Sequence, residues 1–422
     1  MYVIIVSKSK LNLSFESGAR VKYIERTAYL NRLKGLLNTP DIKIITGIRR
    51  SGKSELMRAF INFIRDADNK ANIIYVDFFD LKYDEIKNYK ALHAHIENQY
   101  QSGISNYVFI DEVQLCSDFE LAVNSLHNSK KYDIYLTGSN AFLLSSDLTT
   151  LFTGRFIEIP IFPFSFHEFC VYFSEETDRK KLFDNYVLMG GLAGSYEYIS
   201  NRDRTGYIND VYKTIVNRDL VDKYRLPGTS VLEHLAEFMM DNISNLTSPN
   251  KISEKLNAGS LASNHVTIGK YIDHLCDAFM FYKVKRYDIR GKRYLETLDK
   301  YYLCDLGMRY AVLGQRNMDY GRAYENLVAI ELMRRGYEVY VGKLYQKEID
   351  FIALRQSEKL YIQVSDNISE RSTLEREVES LLQIKDAYPK LLIANTGHPE
   401  YLYEGIRIID ISNWLLNIEE HE

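Results

Sequence analysis

Eight residues limit what this chain can become more than any others. Gly47-Ile48-Arg49-Arg50-Ser51-Gly52-Lys53-Ser54 satisfies every fixed position of GxxxxGK[ST]. Before it stands Ile42-Lys43-Ile44-Ile45-Thr46, a short β-branched run that reads as a strand, and after it a helical pattern from Lys53 to Ile64. Strand, glycine loop and helix in that order make an anion cradle. Gly47 and Gly52 let backbone N–H groups turn inward as a nest, with Arg50 and Ser51 in the loop between them. The helix points its positive dipole end at the same spot. Lys53 supplies a cation to β and γ phosphates, and the Ser54 hydroxyl is placed to ligate Mg²⁺. ATP with Mg²⁺ is the expected ligand.

Such a cradle needs an acidic arm ending a second buried strand, and Tyr107-Val108-Phe109-Ile110-Asp111-Glu112 supplies it. Asp111 is expected to hold Mg²⁺ through water, and Glu112 to orient and deprotonate the attacking water. An acidic pair points to hydrolysis rather than phosphoryl transfer to a metabolite. Further along, Ile134–Thr137 runs into Gly138-Ser139-Asn140, whose polar side chains would face the γ-phosphate. Asn140, or Ser139 beside it, is the candidate sensor, with a simple turn as the rival. Arg155, in Thr153-Gly154-Arg155, is either an arginine finger donated to a neighbouring subunit or a surface charge capping the sheet.

Composition bounds the rest. A chain of 422 residues, 46% hydrophobic and 26% charged, suits about three globular domains. Lys+Arg 53 against Asp+Glu 57 leaves −4, so any basic surface is local. Cys116, Cys170, Cys276 and Cys304 form no CxxC pair, so neither a zinc ribbon nor a disulfide framework is readable. Met1–Val6 is membrane-like but too short for a span, and the expected location is the cytoplasm, with no membrane partner.

The strand candidates Ile73–Asp77, Tyr107–Asp111, Ile134–Thr137 and Phe156–Ile159 are mostly separated by helices, which implies a parallel sheet covered on both faces. The expected class is α/β: a parallel-sheet P-loop core with a helical lid, a winged helix-turn-helix and a small C-terminal α/β domain. The expected divisions are an arm (1–22), the core (23–163), the lid (164–227), the winged unit (228–318) and the C-terminal domain (319–422). Ile252–Leu256 and Asn264–Ala278 supply the helix pair, and Phe281–Arg286 with Arg293–Leu298 the wing. Between 283 and 293, Lys283, Lys285, Arg286, Arg290, Lys292 and Arg293 stand against Asp288 alone. That stripe suits phosphate contacts with DNA, with protein docking as the alternative.

Taken together, the motifs resemble the AAA-type ATPases, in the class with a catalytic glutamate beside the Mg²⁺-binding aspartate. More closely, the chain is similar to a prokaryotic family that joins this module to an uncharacterised C-terminal domain. GIRRSGKS, FIDEVQ, LTGSNAFLL and LTGRFIEIPIFPFSFHEF carry the resemblance in the first half, YENLVAIELMRRGYEV and EIDFIA in the second. Related signal-transducing ATPases often carry a Gly-x-Pro near the start of the helical lid; here Gly191-Leu192-Ala193-Gly194 has Ala193 in the proline position. Arg218-Asp219 also matches a position of the family, with no chemistry assigned to it. The C-terminal unit resembles the restriction-endonuclease-like fold, with Glu325 on its first helix and Asp350 ending Lys347-Glu348-Ile349-Asp350. Gln363 stands in place of that fold's second carboxylate and Ser365 in place of its lysine, so a degenerate, non-cleaving domain is expected. The resulting expectation is a Mg²⁺-dependent ATP-binding protein that hydrolyses slowly to set its domain arrangement, with copies of itself and DNA as partners. An ATP-regulated nuclease or DNA-remodelling enzyme, and a nucleotide-gated binding module without turnover, are the alternatives.

Overall fold

The computed structural model describes residues 23–138, 152, 154–258, 263–291, 293–315 and 319–417. Ser139, Asn140, Lys292 and the arm 1–22 lie outside the described residues.

The flanks of the glycine loop form as their patterns demand. β1 (Ile42–Thr46) is buried at every position. The helix Lys53–Ala67 turns Leu56, Met57, Phe60, Ile61 and Ile64 to one buried face, the stripe of an amphipathic helix. β2 (Asn72–Asp77), β3 (Asn106–Asp111), β4 (Asp133–Thr137) and β5 (Phe156–Pro160) complete a sheet in the order β2-β3-β4-β1-β5. Every pairing in it is parallel. Alternation along the strands divides the core between two faces. Ile42, Ile44, Val108, Ile110 and Leu136 pack with the helices Tyr89–Glu97 and Phe119–Asn128. Ile45, Phe109, Tyr135 and Ile159 pack with the Lys53–Ala67 helix. Because β4 lies between β1 and β3, the ends of all three strands meet at the loop.

The segment expected as the lid holds the helices Phe166–Tyr172, Arg179–Met189 and Asn201–Thr214, the last continuing into a π-helical stretch, Ile215–Asp222. Ser165 opens the first of them with a reciprocal capping box to Glu168. Helices Ser230–Asp241, Pro249–Ala258 and His265–Asp277 follow, then the hairpin β6 (Phe281–Asp288) and β7 (Arg293–Leu303). β7 outruns the expected end at Leu298: the chain kinks there through a left-handed residue (φ 63°) and pairs again, Val284 opposite Lys300.

After the helix Tyr320–Arg334 come β8 (Glu338–Leu344), β9 (Lys347–Arg355), β10 (Glu358–Ser365), the helix Arg371–Leu382, β11 (Lys390–Ala394), β12 (Tyr401–Tyr403) and β13 (Ile406–Asp410). The hairpin is not a free wing. β6 pairs in parallel with β8, Arg286 opposite Val341, and the sheet runs β12-β13-β11-β10-β9-β8-β6-β7. The division expected between 318 and 319 therefore crosses one hydrogen-bonded sheet, in which hairpin and C-terminal strands satisfy each other's edges. One apolar core extends from Ile48 and Phe162 through the lid to Leu415. No helix among the described residues is long and apolar enough to cross a membrane.

Candidate functional site

The loop wraps tightly from the end of β1 to the Lys53–Ala67 helix. Gly47 has φ 142°, and a Cβ there would lie 2.1 Å from the Ile161 carbonyl oxygen, so only glycine fits. Arg50 is left-handed (φ 65°) and exposed at the rim. Ser51 Oγ is buried within the loop and has no hydrogen-bond partner among the described residues. Lys53 is 5% exposed, its Nζ donating to Gly47 O at 2.9 Å and Ile48 O at 3.0 Å. Burial lowers the Lys53 amine to about 8, against the opposing pull of Glu112 and Asp111.

β3 delivers both acids to the same place. Lys53, Ser54, Arg49, Arg50, Asp111, Glu112 and Arg218 line one cleft of about 770 Å³, a size suited to a small ligand. Asp111 is buried and accepts from Thr137 Oγ1 and, at 3.3 Å, from Tyr75 OH. Glu112 is left-handed (φ 54°), a conformation that costs a non-glycine residue about 1–3 kcal/mol and gathers at functional sites. Its N–H donates to Thr137 Oγ1 at 3.1 Å, and Gln114 Nε2 donates to its carboxylate. Thr137 thus ties the acidic arm to β4. Its signal in the sequence was slight, one hydroxyl ending an apolar strand.

Two arginines, Arg26 from outside the loop and Arg49 from within it, tie the loop to the helices that follow the sheet. Arg26 donates to Ser51 O at 2.9 Å and Phe162 O at 2.9 Å while pairing with Glu168 at 2.8 Å. Burial pulls the Glu168 carboxyl up, but Arg26 more than offsets it and holds it below the usual carboxylate range. Arg49 makes a bidentate fork with Asp219, at 2.9 and 2.6 Å. Arg26 and Glu168 carried no signal, because a pairing across 142 residues has no local pattern.

With this geometry in view, residues 39–170 match the family described as an AAA domain, and residues 180–319 a domain of unknown function. An uncharacterised protein of Haemophilus influenzae is 38% identical over 398 residues, covering 93% of this chain and 98% of that protein. The chain belongs to this AAA-domain family. An uncharacterised protein of Methanocaldococcus jannaschii is 25% identical over 392 residues, 88% of this chain and 85% of that one. Among solved structures, a Walker-type ATPase of Pyrococcus abyssi superposes with a TM-score of 0.48 at 16% identity, over 68% of this chain and 95% of that chain.

Within the AAA domain one expected residue stays apart from the loop. Arg155 precedes β5, whose register sets Phe156 opposite Ile42 at the start of β1, whereas the loop leaves β1 at its end. Parallel pairing therefore puts Arg155 at the far edge of the sheet, where Nη1 donates to Asn128 Oδ1 at 2.8 Å. Asn140 lies outside the described residues.

Beyond the AAA domain a second charged cluster forms. Lys300 of β7 lies 2.8 Å from Glu325, 2.7 Å from Glu348 and 3.8 Å from Asp350. The expectation of a cluster without a lysine needs correction: the ammonium arrives from the hairpin, where the kink at Leu298 brings Lys300 opposite Val284. Tyr302 OH also donates to Glu325, at 2.7 Å. Burial pushes the Asp350 carboxyl well above its usual range, and raises Glu325 in spite of Lys300. Burial disfavours the Lys300 charge, and the carboxylates more than restore it, so its pKa stands above the ordinary lysine value. Gln363 Oε1 accepts from Asp350 N at 3.4 Å, and Ser365 Oγ donates to Asn367 O at 3.2 Å. Along the hairpin Lys283, Lys285, Arg290 and Arg293 are exposed, Lys283 pairing with Asp299 at 3.1 Å and Arg290 stacking over Tyr345.

Proposed function

We propose that this chain is a cytoplasmic ATPase that hydrolyses ATP with Mg²⁺ at the glycine loop and uses the nucleotide to change the position of the lid relative to the core. The observation that carries the reading is the meeting of Lys53, Ser54, Asp111 and Glu112 in one cleft. Ser51 Oγ, without a hydrogen-bond partner among the described residues, and the tight turn at Gly47 fit a phosphate chain. The loop amides and Lys53 take the β and γ phosphates. Ser54 and Asp111 are the residues to hold Mg²⁺, whose charge, when bound, offsets that of the phosphates. Glu112 accepts a proton from water as the water oxygen bonds to the γ-phosphorus. The bond from that phosphorus to the β–γ bridging oxygen breaks, leaving ADP and phosphate. Asn140 is assigned to orienting the water or γ-phosphate. Arg155, at the far edge of its own sheet, is assigned to the site of a neighbouring copy, which makes a homo-oligomer part of the reading.

Mg²⁺-dependent phosphate release by the full chain is expected, lowered at least about a hundredfold in Lys53→Ala. Undiminished release in that variant rejects the site.

The nuclease alternative gains an ammonium from Lys300, but that group is only 3% exposed and locked between Glu325 and Glu348. We read the cluster, in a C-terminal domain of restriction-endonuclease-like type, as a structural tie. The exposed Lys285, Arg290 and Arg293 extend the reading to DNA contact along the hairpin, at the place of a wing. Changing Arg290 and Arg293 to glutamate is expected to weaken DNA binding and to reduce the slope of log K against log salt by about 2. No affinity of the unaltered chain for DNA at low salt removes this part.

A further inference from the structure

The Arg49–Asp219 fork has no role in the chemistry just described. Arg49 belongs to the glycine loop, and Asp219 to the π-helical stretch Ile215–Asp222 that closes the lid. Their side chains are 13% and 3% exposed, so the pair is shielded from screening by solvent. Wide turns of this kind are uncommon and gather at functional positions. Beside Asp219, Arg218 lines the cleft itself, its guanidinium 5.4 Å from the Phe79 ring, while Val216 and Leu220 anchor the same turn in the apolar core. Arg49 lines the same cleft as Lys53, so the fork reaches the wall of the phosphate cradle.

We propose that Asp219 is a positioning residue that competes with the phosphates of the nucleotide for Arg49, so that filling the loop releases the Ile215–Asp222 turn and the lid with it. A triphosphate at Lys53 attracts the Arg49 guanidinium and repels the Asp219 carboxylate, so both halves of the fork respond in the same direction. Arg218, carried on the released turn, then moves relative to the cleft it lines. The inference rests on the nucleotide reading of the loop and adds the route by which occupancy reaches the lid.

Asp219→Asn keeps the shape of the side chain and removes the competing charge. It is expected to bind a non-hydrolysable ATP analogue with Mg²⁺ about tenfold more tightly by calorimetry, with KM lowered and kcat not raised. A merely structural aspartate predicts the reverse, weaker binding with a lower melting temperature. In the unaltered protein, hydrogen exchange across Ile215–Asp222 is expected to accelerate several-fold with the analogue, while Asn201–Thr214 stays unchanged. That readout does not depend on the variant folding. Binding by Asp219→Asn that is equal or weaker, or exchange at 215–222 that is unchanged or slower, overturns the inference and leaves the ATP site standing. No binding of the analogue by the unaltered chain overturns the nucleotide reading itself.

Discussion

Glu112→Gln is expected to slow ATP hydrolysis by about 10²–10⁴-fold while leaving ATP affinity nearly unchanged. Glutamine has the shape of glutamate and can keep the left-handed turn and the contact with Gln114, so the cleft retains its form. Only the proton acceptor is lost. Asp111, held by Thr137 and Tyr75, is untouched, so the residue assigned to Mg²⁺ stays in place. Single-turnover phosphate release beside a binding titration separates the two effects. Hydrolysis within a few-fold of the unaltered rate would move the base elsewhere, and a parallel loss of affinity would make Glu112 a structural residue.

The other large effect lies far from the nucleotide. Lys300→Met is expected to destabilise the C-terminal half by about 3–5 kcal/mol, because it strands Glu325 and Asp350 as buried carboxylates without their counter-charge. The pH dependence follows from the direction of their shifts. Both carboxyls titrate above their ordinary range in the folded state. The stability they contribute is therefore present at low pH and lost as pH rises through their folded pKa values. Removing Lys300 raises those values further, so the deficit should be larger at pH 8 than at pH 5. Urea unfolding midpoints at the two pH values measure it. A variant as stable as the unaltered chain at both would show that the cluster is not a structural tie.

Much of the fold was readable because it rests on short-range rules. Ile42–Thr46 and Tyr107–Asp111 are apolar runs of strand length, and both are central strands. The amphipathic stripe after Lys53 was equally plain. The hairpin was harder. Its two strands were visible, yet nothing in 281–303 announced that β6 would join β8, since edge pairing is chosen by whichever partner the packed chain presents. A left-handed kink inside a strand leaves no mark in periodicity, so the pattern of β7 ends at Leu298 while the strand runs on to Leu303.

By itself, the order of residues from Ile42 to Ser54 and from Tyr107 to Glu112 determined a phosphate cradle and an acidic arm, because spacing along a strand, loop or helix dictates where neighbouring groups point. Only the tertiary structure decided what those groups touch. Thr137 reached Asp111, Asp219 took hold of Arg49, and Lys300 entered the cluster of Glu325, all through sheet order and helix packing. The reason is physical: backbone geometry propagates over a few residues. The pairing of distant charges depends on which surfaces a shared apolar core forces together.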